Sequence, residues 1–173
     1  IVTFCAEGGL TEYMCLYTAD DFEGTLKECD EGKLEWVEKE RIDGLELWDG
    51  DRLFFDLLGK ETPFFSLKLC YGRDGTWNRA VLNGQELELF DLCREDGTPT
   101  GRVKERSMVH RDGDLHRTVH IWVVRKRADG GLDVLLQRRS KDKDTYPDCY
   151  DISSAGHVKA GDKVKKGDLL LEM

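Results

Sequence analysis

No stretch of this chain is apolar for the length a membrane-crossing helix needs, and no basic start with an apolar middle marks a secretory signal. A surplus of positive charge is missing too. The formal net charge is −9, which argues against a nucleic-acid surface, because phosphate backbones are held by clustered Lys and Arg. The cysteines (Cys5, Cys15, Cys29, Cys70, Cys93 and Cys149) show no C-x-x-C spacing, which disfavours a zinc site or a disulfide framework. Reduced thiols in the cytoplasm are therefore expected, most of them as small buried hydrophobes. No internal repeat and no low-complexity segment occurs. A small nucleotide stays compatible with an acidic chain, because a metal ion can carry the charge balance. The first residue is Ile1 rather than Met, from which a longer reading frame is expected.

The 173 residues suffice for one large domain or two small ones. Residues 12–17 (EYMCLY) form a β-rich run, and 33–38 (KLEWVE) alternates as a half-buried strand does. Residues 45–58 change to helical spacing, with Leu53, Phe54, Leu57 and Leu58 on one side and Gly59 near the end. Segments 64–71 and 76–82 flank Gly72-Arg73-Asp74-Gly75, a hairpin signal, and Asn83-Gly84 makes a further turn. From Glu86 the chain starts afresh. Residues 87–92 read as a strand, and 117–125 and 134–138 as buried strands around a Gly130-Gly131 turn. A boundary near residues 84–88 carries no long linker.

Residues 137–162, QRRSKDKDTYPDCYDISSAGHVKAGD, resemble the entry to a Nudix box, the helix that holds Mg²⁺ against a diphosphate. The pattern runs G-x5-E-x7-R-E-U-x-E-E-x-G-U, with U aliphatic. Gly156 and Asp162 fit its first two positions, with Asp for Glu. Leu170, Leu171 and Glu172 then stand where Arg, Glu and the aliphatic residue belong, so the box carboxylates are absent. The tail KVKKGDLLLEM resembles the hairpin of a biotinyl or lipoyl carrier domain, with a simple β-turn tail as the plainer alternative.

Residues 10–82 resemble the C-terminal half of a MutT-type Nudix domain acting on oxidised purine nucleotides, through DEGKLEWV, LWDGDRLFFDLL and PFFSLKLCY. That resemblance implies a metal role for Glu31 and purine binding by Trp48 and Asp51. An indole stacks on a base, and a carboxyl reads its edge. The plainer alternatives are Trp48 as a core residue and the acids as partners of the helix dipole. Residues 88–162 resemble the N-terminal half of an isopentenyl-diphosphate isomerase-like Nudix hydrolase, through ELFDLCREDGTPTG, VHRDGDLHRTVHIWVV and the long segment above. This second resemblance implies that His110, His116 and His157 hold a divalent metal, with Gly156 beside it. It also implies that Arg139 and Lys143 contact a diphosphate. Turn and strand-edge roles for the histidines, and a solvated basic loop for Arg138, Arg139, Lys141 and Lys143, stand as alternatives. His120 is expected to be a packed histidine. For Gly156 either a carbonyl close to a metal or a tight turn would call for glycine. Ala155 replaces the isomerase's cysteine and cannot move a proton, so isomerisation through that residue is excluded, and Cys149 lies too far away to substitute.

Together the resemblances imply an α/β fold, a Nudix-like α/β/α sandwich on a mixed β-sheet, incomplete because the box helix is missing. Residues 1–85 would be one half-domain and 86–173 another, with a tail (163–173) that departs from the family. Docking of the halves as a permuted sandwich is the other arrangement this allows. The implied reaction is attack of metal-activated water on a diphosphate linkage, with Mg²⁺ or Mn²⁺ as cofactor and a small-molecule nucleotide or other diphosphate as substrate. Neither nucleic acid nor membrane is an expected partner. With so few acidic ligands, little or no turnover is expected of this chain. A non-catalytic module binding a nucleotide or a protein is the competing reading.

Overall fold

The computed structural model describes residues 1–27, 30–143 and 145–162. They divide into two compact units, Ile1–Leu89 with Val103–Glu105, and Phe90–Arg102 with the described residues from Arg106 onward.

The first unit is built on one mixed sheet. Strand β1 (Val2–Ala6) pairs antiparallel with β2 (Thr11–Met14) and parallel with β3 (Leu67–Tyr71), while β4 (Trp77–Leu82) and β5 (Gln85–Glu86) extend the antiparallel side. Period-2 alternation explains which face is covered. Val2, Leu67, Leu69 and Ala80 are fully buried, whereas Lys68 between the leucines is exposed. Helix α1 (Asp49–Gly59) buries Leu53, Phe54 and Leu57, one apolar side at helical spacing. Its buried Arg52 donates to the carbonyls of Asp43 and Leu45, which ties the helix to the 3-10 turn at Lys39–Gly44. Asn83 and Gly84 both take positive φ (50° and 83°), the two-residue turn that joins β4 to β5.

The second unit has small sheets. Strands β6 (Leu89–Cys93) and β7 (Pro99–Glu105), which lie in it except for Leu89 and Val103–Glu105, form a hairpin, and α2 (Arg106–Asp112) follows. The remaining strands are β8 (Thr118–Ile121), β9 (Val123–Lys126), β10 (Leu132–Leu135), β11 (Gln137–Arg138), β12 (Tyr150–Asp151) and β13 (Ser154–His157). They pair two by two, β9 with β10, β11 with β12 and β8 with β13. Phe90, Leu92 and Val109 form the buried cluster.

The structure corrects several expectations. Residues 33–38 form no strand, and Trp36 is 74% exposed, stacked on Phe22 with ring centroids 5.6 Å apart. Alternation alone supplies no partner strand. The predicted helix begins at Asp49 rather than at residue 45. Gln85–Glu86 closes the first sheet, so the new start falls later than Glu86. The run 117–125 breaks at Trp122 into β8 and β9, and the apolar residues of β9 and β10 are largely exposed, not buried. Cys5, Cys70 and Cys93 are half-buried, and Cys15 and Cys149 are exposed, so none of these five is the buried hydrophobe expected. Cys29 and the tail 163–173, including Leu170, Leu171 and Glu172, lie outside the described residues. Among the described residues no helix is long and apolar enough to cross a membrane.

Candidate functional site

In the second unit three imidazoles converge. Helix α2 carries His110, the approach to β8 carries His116, and the end of β13 carries His157. The pairing of β13 with β8 brings the last two together, since His157 opposes Thr118 and an isolated bridge joins His116 to Leu92. One ring nitrogen from each lies within 4.8 Å of the other two, the one metal-ligand group of this kind among the described residues. Phe90, fully buried, forms the floor. Its ring stacks on His157 at 4.8 Å and on His116 at 5.2 Å, and His110 lies 6.2 Å away. The His116 Nδ1 lies 3.0 Å from the Asp114 carbonyl, which can only accept, so Nδ1 carries a proton and Nε2 is the nitrogen left to bind an ion when the ring is neutral. Three imidazoles so arranged suit a divalent first-row ion, which binds them in their neutral form.

Two carboxylates are also expected at metal, Glu31 in the first unit and Asp162 in the second. Glu31 is an exposed turn residue of the first unit, and Asp162 is exposed, its N–H donating to the Lys159 carbonyl at 3.1 Å. Neither carboxylate joins a ligand group among the described residues. Gly156 lies within β13, opposite Val119, with nothing within 4 Å of where a Cβ would sit. It is in extended backbone, so the tight-turn explanation for this glycine fails. His120 is exposed rather than packed, and Ala155 opposes it across the pair.

Arg139 is committed within the protein. Its guanidinium donates to the Asp151 carboxylate at 2.9 Å and to the Thr145 carbonyl at 2.9 and 3.2 Å. The Ile152 N–H and then Arg139 hold the Asp151 carboxyl below its usual range. Arg139, Thr145, Tyr146 and Asp151 line a small cavity of about 290 Å³. Lys143 is exposed in the neighbouring loop. Arg138 pairs with Asp148 at 2.9 Å, so the basic stretch is partly neutralised by its own acids.

In the first unit Trp48 and Asp51 do share a wall. They line a cleft of about 740 Å³ with Phe4, Leu10, Tyr71 and Arg73. Trp48 precedes α1 and is 64% exposed, which overturns its reading as a core residue. It meets Tyr71 edge-on at 5.8 Å. Asp51 stands in the first turn, its N–H bonded to the Trp48 carbonyl at 3.0 Å, and burial pushes its carboxyl up. Burial, with Asp51 and Asp49 nearby, also drives the Tyr71 hydroxyl well above its ordinary range. That hydroxyl rests against Gly50 and finds no hydrogen-bond partner among the described residues. The pairing of Trp48 with Asp51 is readable from their spacing of three on a helix. Tyr71 and Phe90 were not singled out from sequence, because a strand aromatic looks the same whether it fills a core or floors a site.

The chain is 51% identical over 75 residues to Nudix hydrolase 3 of Arabidopsis thaliana, covering 43% of this chain and 9% of that protein. It is 42% identical over 82 residues to an uncharacterised Nudix hydrolase of Clostridium acetobutylicum, covering 47% of this chain and 39% of the relative. Several of the curated proteins similar to this chain are named Nudix hydrolases. An isopentenyl-diphosphate Delta-isomerase of Rhizobium rhizogenes is also similar, 31% identical over 78 residues, 45% of this chain and 35% of that enzyme. The chain thus spans less than half the length of each of these relatives. No family model matches, and no solved structure matches. The mixed α/β architecture of the first unit is consistent with a Nudix-like fold.

Proposed function

We propose that this chain carries two parts of Nudix diphosphohydrolase chemistry, a divalent-metal seat in the second unit and a base-binding cleft in the first. The observation that carries the reading is the convergence of His110, His116 and His157 over the buried ring of Phe90. Three neutral nitrogen donors favour Mn²⁺ or a similar first-row ion over Mg²⁺, whose shell takes oxygen ligands. When bound, such an ion would activate water and neutralise diphosphate charge. The histidines would hold it, and the Asp114 carbonyl fixes one ring in the tautomer that binds. Trp48 would stack on a purine while Asp51 reads its edge, as the resemblance to the oxidised-purine hydrolases implies. The halves would then be parts of two successive Nudix domains, each an incomplete sandwich without its acidic helix. Each similarity to a relative runs for 75 to 82 residues, about the length of one such half.

A second reading is favoured by a specific observation, namely that Leu170, Leu171 and Glu172 stand where the Arg, Glu and aliphatic residue of the Nudix box belong. Without an acidic base the chain would bind rather than turn over. The test pairs calorimetry with Mn²⁺ against phosphate and pyrophosphate release from a panel of nucleoside di- and triphosphates. Expected are metal binding lost in His116→Ala, nucleotide binding lost in Trp48→Ala, and release near background. Robust release would overturn the binding-only reading, and no Mn²⁺ binding would overturn the metal seat.

A further inference from the structure

A second piece of chemistry lies on the first unit's sheet. Cys5 of β1 and Cys70 of β3 are register partners across the parallel pair. Direct partners on neighbouring strands stand about 4.8 Å apart, inside the roughly 4.4–6.8 Å between Cα atoms that a disulfide spans. In a pleated ladder both side chains leave by the same face. That face is opposite the one presenting Leu67 and Leu69, which are fully buried, so the two thiols are left half-exposed.

The surroundings supply charge. Lys68 lies two residues before Cys70 on β3, and Arg79 of β4 is the register partner of Cys70. Both favour a thiolate there, although burial and the neighbouring Cys5 thiol push the Cys70 thiol up, and Arg79 is shared with Glu86 at 3.0 Å. Both cysteines are partly exposed, so a small reagent can reach the pair.

We propose that Cys5 and Cys70 form a dithiol modification site that closes reversibly to a disulfide by exchange with a low-molecular-weight disulfide of the glutathione type. In the first step one protein thiolate attacks a sulfur of the small disulfide, making a mixed disulfide and releasing one small thiolate. The second protein thiol, after losing its proton to solvent, attacks the protein sulfur of that mixed disulfide. The internal bond forms and the second small thiolate leaves. The two cysteines are oxidised by two electrons, and one small disulfide is reduced to two thiols. The bridge closes a loop of roughly 65 residues, which restrains the unfolded chain.

The full chain is incubated with oxidised glutathione at mildly alkaline pH, quenched with iodoacetamide, digested and mapped by mass spectrometry, with melting followed in parallel. The expected result is one pair of peptides joined through Cys5 and Cys70, lighter by two hydrogens than the separate thiol forms. Dithiothreitol should release both, and the melting temperature of the oxidised protein should rise and fall back on reduction. In Cys5→Ser, Cys70 should stop at the glutathione mixed disulfide with no rise in melting temperature. If that variant fails to fold, the wild-type peptide map decides alone. Recovery of Cys5 and Cys70 as separately alkylated or separately glutathionylated residues, while the exposed Cys15 and Cys149 react, would overturn the proposal.

Discussion

The two units place their apolar residues in contrasting ways. In the first, a five-stranded mixed sheet takes Val2, Leu67, Leu69 and Ala80 out of solvent completely, and the start of α1 packs against Leu69 and Tyr71. In the second, two-stranded ribbons leave Trp122 58% exposed and Leu132 60% exposed, and the burial concentrates around Phe90, Leu92 and Val109. A pair of strands has no interior, so an apolar residue on it is covered only if something else packs there. The candidate metal seat is accordingly built on the one buried aromatic of that small cluster, while the candidate base cleft is built on a full sheet and helix. Damage should therefore spread differently in the two.

The largest contrast is expected within the second unit itself. Phe90→Ala removes the fully buried ring beneath the histidines and should cost about 3–5 kcal/mol. Val134→Ala, on an exposed strand, should change stability by less than about 0.5 kcal/mol. Denaturant titration followed at Trp122, the second unit's own tryptophan, separates the two. Equal effects would mean that β9 and β10 are covered in solution, and the contrast drawn above would collapse.

Next in size is metal affinity. His116→Ala removes the imidazole whose tautomer is fixed by Asp114, and should weaken Mn²⁺ binding about 100-fold or more, beyond the 10–100-fold typical of losing a supporting partner. His120→Ala, exposed on β8 but outside the group, should leave it unchanged. Calorimetry on both variants reads this directly.

A smaller effect is expected at Gly50. An added Cβ there would collide with the Tyr71 hydroxyl and come within 3.0 Å of the Leu69 side chain. Gly50→Ala should cost about 1–3 kcal/mol as the helix start and Tyr71 shift. Because Tyr71 meets Trp48 edge-on, the fluorescence of Trp48 should change as well. A silent substitution would show that the start of α1 is looser than its packing against β3 implies.

How much of this was legible follows from the range of each interaction. Leu53, Phe54 and Leu57 announce α1 because a helix writes its buried side within a few residues. Asn83-Gly84 announces its turn because two successive positive φ angles select those residue types. β1 was missed, since five residues at the chain start, VTFCA, carry too little alternation to separate from a loop. α2 was missed for the same reason, being seven residues long with only Met108 and Val109 buried. Whether β9 and β10 are covered depends on partners far along the chain, which a period of two does not encode. The histidine group draws on positions 110, 116 and 157, so no local spacing could assemble it. Only the family resemblance did, and it did not single out Phe90.

The smallest expected effect concerns the sign of a pH dependence at the cleft. Burial raises the Asp51 carboxyl above the ordinary range of an aspartate. A carboxyl whose folded pKa is raised binds its proton more tightly in the native state, so ionising it works against folding. The penalty is absent below the unfolded value, grows as pH rises through the folded one, and is constant above it. Asp51→Asn keeps the side-chain shape without the charge. It should therefore raise the midpoint of unfolding slightly at neutral pH, with the gain vanishing in acid. Asp151, held low by the Ile152 N–H and Arg139, has the opposite sign, so its stabilising contribution is present at neutral pH and lost as pH falls. Melting curves of wild type, Asp51→Asn and Asp151→Asn across pH separate the two directions. A charge retained at Asp51 despite its cost would be expected of a residue kept to read a ligand, and nucleotide binding by Asp51→Asn tests that. If the variant is more stable and binds as well as wild type, the carboxyl serves neither purpose, and the base-reading role falls.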